Sequence, residues 1–278
     1  MALTLPHPVS TWLNPDNGQP ISHQTLMTAL SKKQVVLLGE THDRYDIHRW
    51  QLSITIALYT LRENIVVGFE MFPRSTQPIL DKWTAGTLSE THFLKEIDWK
   101  TVWGFPAELY LPLFRFCREF NVRMIALNCY RPLVTRVGKE GWDAIPEADR
   151  DGLSPAKPAT QEYLDYLASL MGKKSPFFAQ SKEEEVRRDR FVRAQQTWDR
   201  AFACNIAKSQ TDETSPLVIG IIGRGHLEYG HGTPYQLKDL GIEEVSVLLP
   251  SDEAAPAASK LKNIADACFR LPPMIEKD

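Results

Sequence analysis

A chain of 278 residues is long enough to bury a sizeable core, and 43% hydrophobic against 24% charged residues is ordinary for a globular fold. The formal net charge of -3 leaves no electrostatic footprint for nucleic acid or an anionic membrane. No apolar stretch is long enough to cross a bilayer, and the four cysteines, far apart, read as small buried thiols rather than a disulfide framework or zinc site.

The opening segment, to about Gln34, carries prolines and asparagines and reads as a wrap around the fold before the first strand. Its first residues lack a basic stretch followed by an apolar core, so no secretory signal is read. The expectation is a cytoplasmic protein, or a periplasmic or membrane-anchored one if a leader has been removed. Val35-Val36-Leu37-Leu38 is a short apolar run of the kind that forms a strand buried on both faces, and Gly39-Glu40-Thr41-His42 follows it directly. Asp43 reads as a helix cap, and an amphipathic helix then runs through Trp50, Leu52, Ile56 and Leu58 to near Asn64. A second strand spans Ile65 to Glu70 and stops before Pro73.

Helices are predicted from Gln77 to Trp83 and from about Thr91. The aromatic stretch Trp99 to Phe105 either walls a flat apolar ligand or seals the core. Leu109, Leu113, Phe116, Cys117 and Phe120 fall on one helix face, which Asn121 closes, and Val122 to Leu127 reads as a third strand. A helical insertion follows, about residues 131–209, interrupted by a polar stretch from Ile145 to Pro158. Its last helix places Phe191, Ala194, Trp198, Ala201, Phe202 and Asn205 on one stripe. Glu183–Arg187 and Glu184–Arg188, four residues apart, read as a solvated face. The sheet resumes at Leu217–Ile222, Pro234 opens a helix that Gly241 ends, and Val245 to Leu249 is a further strand. Alternating strands and helices make an α/β fold, read as a single domain over 1–278.

Two Gly-x-x-His tetrads, at Gly39–His42 and Gly223–His226, each follow an apolar strand, and Glu70 ends a third. Ligand sites in open α/β sheets lie beyond the carboxyl ends of the strands, so adjacency of these three strands brings His42, Glu70 and His226 together. Two imidazoles and a carboxylate make either a three-ligand metal set with open positions or, without metal, a general acid–base group. A purely structural hydrogen-bond cluster is the third reading. Glu40 orients His42, acts as base on a bound water, or faces a helix dipole. The glycines after the last tetrad fit neither dinucleotide nor P-loop spacing, and read instead as a sharp turn that exposes His226, Tyr229 and His231. Tyr229 carries a hard phenolate oxygen suited to ferric iron, or is a packed aromatic with a bonded hydroxyl.

Leu38 to Asp43, Gly68-Phe-Glu-Met-Phe72, Trp103 through Asn128, Arg193 to Asp199 and Gly223 to Pro234 together resemble, in order, the ChaN-like family of the haem-binding/Tiki superfamily. That resemblance implies a mostly parallel mixed sheet flanked by helices, haem as cofactor in iron acquisition, and members that dimerise around their haem. It implies Tyr229 as iron ligand, with His226 or His231 as its partner, in a slot shared with the strand-end trio. It also implies an alternative, a hydrolase in which His42, Glu70 and His226 hold manganese, cobalt or zinc, with Glu40 as base. No lipobox cysteine stands near the start, so a lipid anchor is not expected from these residues.

Overall fold

A computed structural model describes residues 8–171, 181–210, 215–252 and 261–272. In chain order, the opening segment forms β1 (Trp12–Leu13), β2 (Pro20–Ile21) and helix α1 (His23–Leu30), followed by β3 (Val35–Glu40) and α2 (Tyr45–Leu61). Then come β4 (Ile65–Pro73), α3 (Gln77–Thr84), α4 (Glu90–Glu96), the short α5 (Trp99–Val102), α6 (Leu111–Glu119) and β5 (Arg123–Asn128). The helical insertion supplies α7 (Arg131–Glu140), α8 (Gln161–Leu170) and α9 (Lys182–Ser209). Last are β6 (Leu217–Gly223), α10 (Thr233–Asp239), β7 (Val245–Ser251) and β8 (Ala267–Arg270).

The strands make one eight-stranded sheet in the order β2-β1-β8-β7-β3-β6-β4-β5. From β8 to β5 every pairing is parallel, while β1 runs antiparallel to β8 and β2 to β1. The mostly parallel mixed sheet is therefore as expected. The opening segment does more than wrap the fold, because it adds two edge strands, and β8 is a strand that its short, polar-flanked sequence had not announced.

Parallel strands covered on both faces must be apolar throughout, and alternate residues then belong to different cores. Val36, Leu38, Val67, Phe69, Ile219 and Ile221 face one layer, with Trp50, Ile54 and Leu58 of α2 and Leu113, Phe114 and Phe116 of α6. Val35, Leu37, Val66, Val218, Ile222 and Leu249 face the other, with Phe202 and Ile206 of α9 and Leu237 of α10. Asn121, at φ 52°, ends α6 in the left-handed region that asparagine tolerates. Arg44, not Asp43, is the residue before α2, and no side chain caps that helix; Arg44 pairs with Asp46 in its first turn. All four cysteines are buried and unpaired.

Candidate functional site

Strands β3, β6 and β4 are consecutive in the sheet, with Glu40 of β3 in register with Gly223 of β6. The turns after β3 and β6 deliver His42 and His226, and β4, which runs on past the expected end at Glu70 to Pro73 with a register shift after Phe69, supplies Glu70 from within the strand, to a cavity of about 360 Å³ walled by Trp103, Phe105 and Trp198. The expected convergence of the trio is what the sheet order produces. Trp103 and Phe105 lie against His42, at 4.7 and 5.3 Å between ring centroids, whereas Trp99 turns into the core. The aromatic stretch therefore seals the core with Trp99 and lines the cavity with Trp103 and Phe105.

Each imidazole is held from behind by a carboxylate. His42 Nδ1 donates to Glu40 at 2.7 Å and His226 Nδ1 to Asp199 at 2.9 Å. Glu40 also accepts from Tyr110 Oη at 2.9 Å, and Asp199 from Tyr163 Oη at 2.5 Å and Thr233 Oγ1 at 3.2 Å. Such bonds fix tautomer and ring orientation, so each Nε2 is the nitrogen left for chemistry. Glu40 stands behind His42 and does not line the cavity, an orienting position rather than that of a base on bound water. Glu70 is buried and accepts from the Gly223 backbone N–H. A Cβ at Gly223 would lie 2.9 Å from His42 Cε1 and 3.2 Å from Glu70 Oε2, which is why the second tetrad begins with glycine.

Burial pushes the Glu70 carboxyl above the usual carboxylate range, against the opposing pull of His226 and His42. Burial alone would lower both histidines. For His226 the charge and hydrogen bond of Asp199, with Glu70 beyond, outweigh it, so that imidazole holds its proton above the ordinary histidine value. For His42 the Glu40 hydrogen bond and the Glu70 charge do the same. The trio is thus a set of proton-retaining groups at close quarters, suited to proton transfer.

A metal fits this arrangement less well. Among the described residues no group of three or more His, Cys, Asp or Glu is placed to hold a metal ion, and Glu70 already accepts from a backbone amide. Manganese, cobalt and zinc are therefore a poor match to the trio as the fold places it.

Tyr229 and His231 are elsewhere, which corrects the shared slot expected from the resemblance: neither lines the cavity. Two consecutive 3₁₀ turns, Arg224–His226 and Glu228–Gly230, turn His226 into the cavity and Tyr229 out to the surface, 38% exposed. Tyr229 sits at φ 59° and ψ 9°, a left-handed conformation that is uncommon for a bulky residue. Its N–H donates to the Ile264 carbonyl at 2.9 Å. The His231 ring stacks on it at 5.7 Å and the Tyr166 ring meets it edge-on at 5.7 Å. No described residue hydrogen-bonds the Tyr229 hydroxyl or the His231 ring nitrogens. Burial lowers His231, leaving it a neutral imidazole near neutral pH, while burial and then Glu228 raise Tyr229.

Asp199, Tyr163 and Tyr110 stand outside both tetrads; Asp199 and Tyr110 lie within the stretches that carry the family resemblance, but nothing there marked either as standing behind a tetrad histidine. The signals for Asp199 were its place at the end of the Arg193–Asp199 stretch of that resemblance and its position, as a carboxylate, beside Trp198 and Ala201 of a stripe that had to be buried.

Residues 26–237 match the sequence model of a family described as haem-binding uptake, Tiki superfamily, ChaN. Among solved structures, the chain is similar to ChaN of Campylobacter jejuni, a protein with cofacial haem binding, at 21% identity and TM-score 0.68, over 94% of this chain and 98% of that one. It is similar to a mutant of the erythromycin esterase EreC in its open conformation, at 10% identity and TM-score 0.52, over 87% of this chain and 76% of that one. No curated protein matches it. At these identities the two structures establish likeness of fold. No helix among the described residues is long and apolar enough to cross a membrane.

Proposed function

The chain belongs to the ChaN family of haem-binding uptake, within the Tiki superfamily, and on that footing we propose that it binds haem through Tyr229 in the acquisition or handling of iron. The observation that carries this reading is the Tyr229 phenol, held at a left-handed backbone position, exposed, and without a hydrogen-bond partner among the described residues. The donor set fits the group. Ferric haem supplies an iron that takes a hard phenolate oxygen, and the neighbouring His231 and Tyr166 rings offer apolar faces to a flat macrocycle. His231 is the supporting histidine in this proposal, because His226 is turned into the cavity and bonded to Asp199.

A ligand on an exposed face leaves its outer side uncovered, and a second protomer carrying its own haem is the proposed cover. The cofacial haem binding of Campylobacter jejuni ChaN supports that arrangement. Hemin titration followed by absorbance, with sedimentation of the loaded protein, tests both parts. A Soret shift that survives His42→Ala and is lost with Tyr229→Phe supports the reading; the opposite dependence overturns it.

The cavity favours a second role, hydrolysis by proton transfer without a metal. Two imidazoles, each oriented by a carboxylate, face one buried carboxyl that burial biases towards its protonated form. One imidazole takes a proton from the attacking water, and a protonated neighbour gives one to the leaving group. Ester hydrolysis that persists in chelator and disappears with His226→Ala is the expected result. Activity that needs added divalent metal would sink this second role.

A further inference from the structure

Beside the cavity lies a groove of about 480 Å³ between α7 and α9 that neither proposed role uses. Its walls combine Arg131, Arg187 and Arg190 with Val134, Phe191 and Trp198, and among the described residues no carboxylate lines it. Arg187 comes from the charge run that the sequence marked as a solvated face, with Glu183 expected to pair it, and Arg190 follows one turn later. That pair is not made. Arg188 pairs with Glu185 and Asp189, whereas the guanidinium groups of Arg131, Arg187 and Arg190 have no ion pair or hydrogen bond to any described residue.

Three exposed arginines without an ion pair among the described residues line this one groove, in a chain whose net charge is -3. Like charges gathered without counter-charge repel one another, and an anion between them relieves that repulsion. Guanidinium forks match the oxygens of carboxylate, sulfonate and phosphate. Arg131 and Trp198 line both the groove and the cavity, so the two spaces adjoin. Each has the size of a small-molecule pocket, and their aromatic walls suit a flat apolar body.

We propose that the groove binds a small organic anion, its acidic group held by Arg131, Arg187 and Arg190 and its flat apolar body lying along Phe191 and Trp198 towards the cavity. The site is separate from Tyr229 and stands whether or not the chain takes up haem.

The test uses 8-anilinonaphthalene-1-sulfonate as probe and its uncharged relative N-phenyl-1-naphthylamine as control, both titrated by calorimetry into the full chain. We expect binding of one sulfonate probe per chain, weakening as salt is raised. The uncharged probe should bind at least about tenfold more weakly. The Trp198 indole N–H resonance should shift when the sulfonate is added. Arg187→Gln with Arg190→Gln should weaken the sulfonate at least about tenfold. Lys33→Gln with Arg115→Gln, which removes two charges already paired with Glu244 and Glu90, should leave it unchanged. Equal affinity for the two probes, or an unaltered affinity in the groove variant, overturns the proposal.

Discussion

His226 and His231 leave the same strand five positions apart, yet they end in opposite environments. His226 is turned inward, fixed by Asp199 and raised in proton affinity; His231 stacks on exposed Tyr229 and is lowered. One region is a preorganised cavity whose imidazoles are each held by a carboxylate from behind. The other is a face whose phenol and imidazole have no partner among the described residues. Chemistry-bearing residue type and nearness in sequence therefore do not define a site. What defines it is which atoms the fold leaves unpaired.

The division between the two regions is most exposed to failure at Tyr229. Tyr229→Phe keeps the ring stack and removes the hydroxyl, so hemin affinity should fall by on the order of 100-fold, while His42→Ala should change it little. Loss of haem in His42→Ala with retention in Tyr229→Phe would reverse the assignment of the two regions.

The next largest effect should come from Asp199→Asn. Asp199 accepts from His226, Tyr163 and Thr233, and an amide can accept fewer bonds. Stability should drop by about 2 kcal/mol, read by urea unfolding, with haem affinity unmoved. Gly223→Ala follows, at about 1–2 kcal/mol, because its methyl group meets His42 and Glu70. An unaltered stability there would mean that the cavity yields more readily than a packed interior should.

Varying pH separates the two histidines without altering either side chain. His226, raised in the folded state, contributes stability that is full below the unfolded histidine value near 6.5 and lost as pH rises through its folded value. His231, lowered, contributes stability that is present above that value and lost as pH falls through its folded one. Imidazole NMR titration of the haem-free protein should place the two on opposite sides of 6.5. The smallest effect is expected at Tyr166→Phe, which loses one partly exposed bond to Glu228 and should cost less than about 1 kcal/mol.

Much of this was legible in the residues. The six parallel strands are buried on both faces, so apolar runs marked five of them. The sixth, Ala267–Arg270, is four residues long and carries Arg270, which left no run to notice. The two tetrads and Glu70 were readable as one site because strand ends in an α/β sheet share one rim. Tyr229 was readable as a residue type but not as a location, since a two-turn 3₁₀ excursion decides its side of the rim.

Local sequence therefore determined the strands, the helices and the kinds of chemistry on offer, because period and residue type act over a few neighbours. Tertiary structure decided the partners. It set Asp199 behind His226 and Tyr110 against Glu40, left Arg187 and Arg190 without counter-ions among the described residues, and sent Tyr229 outward. Those pairings join residues far apart in the chain, and their energies depend on burial and distance, which no local pattern encodes.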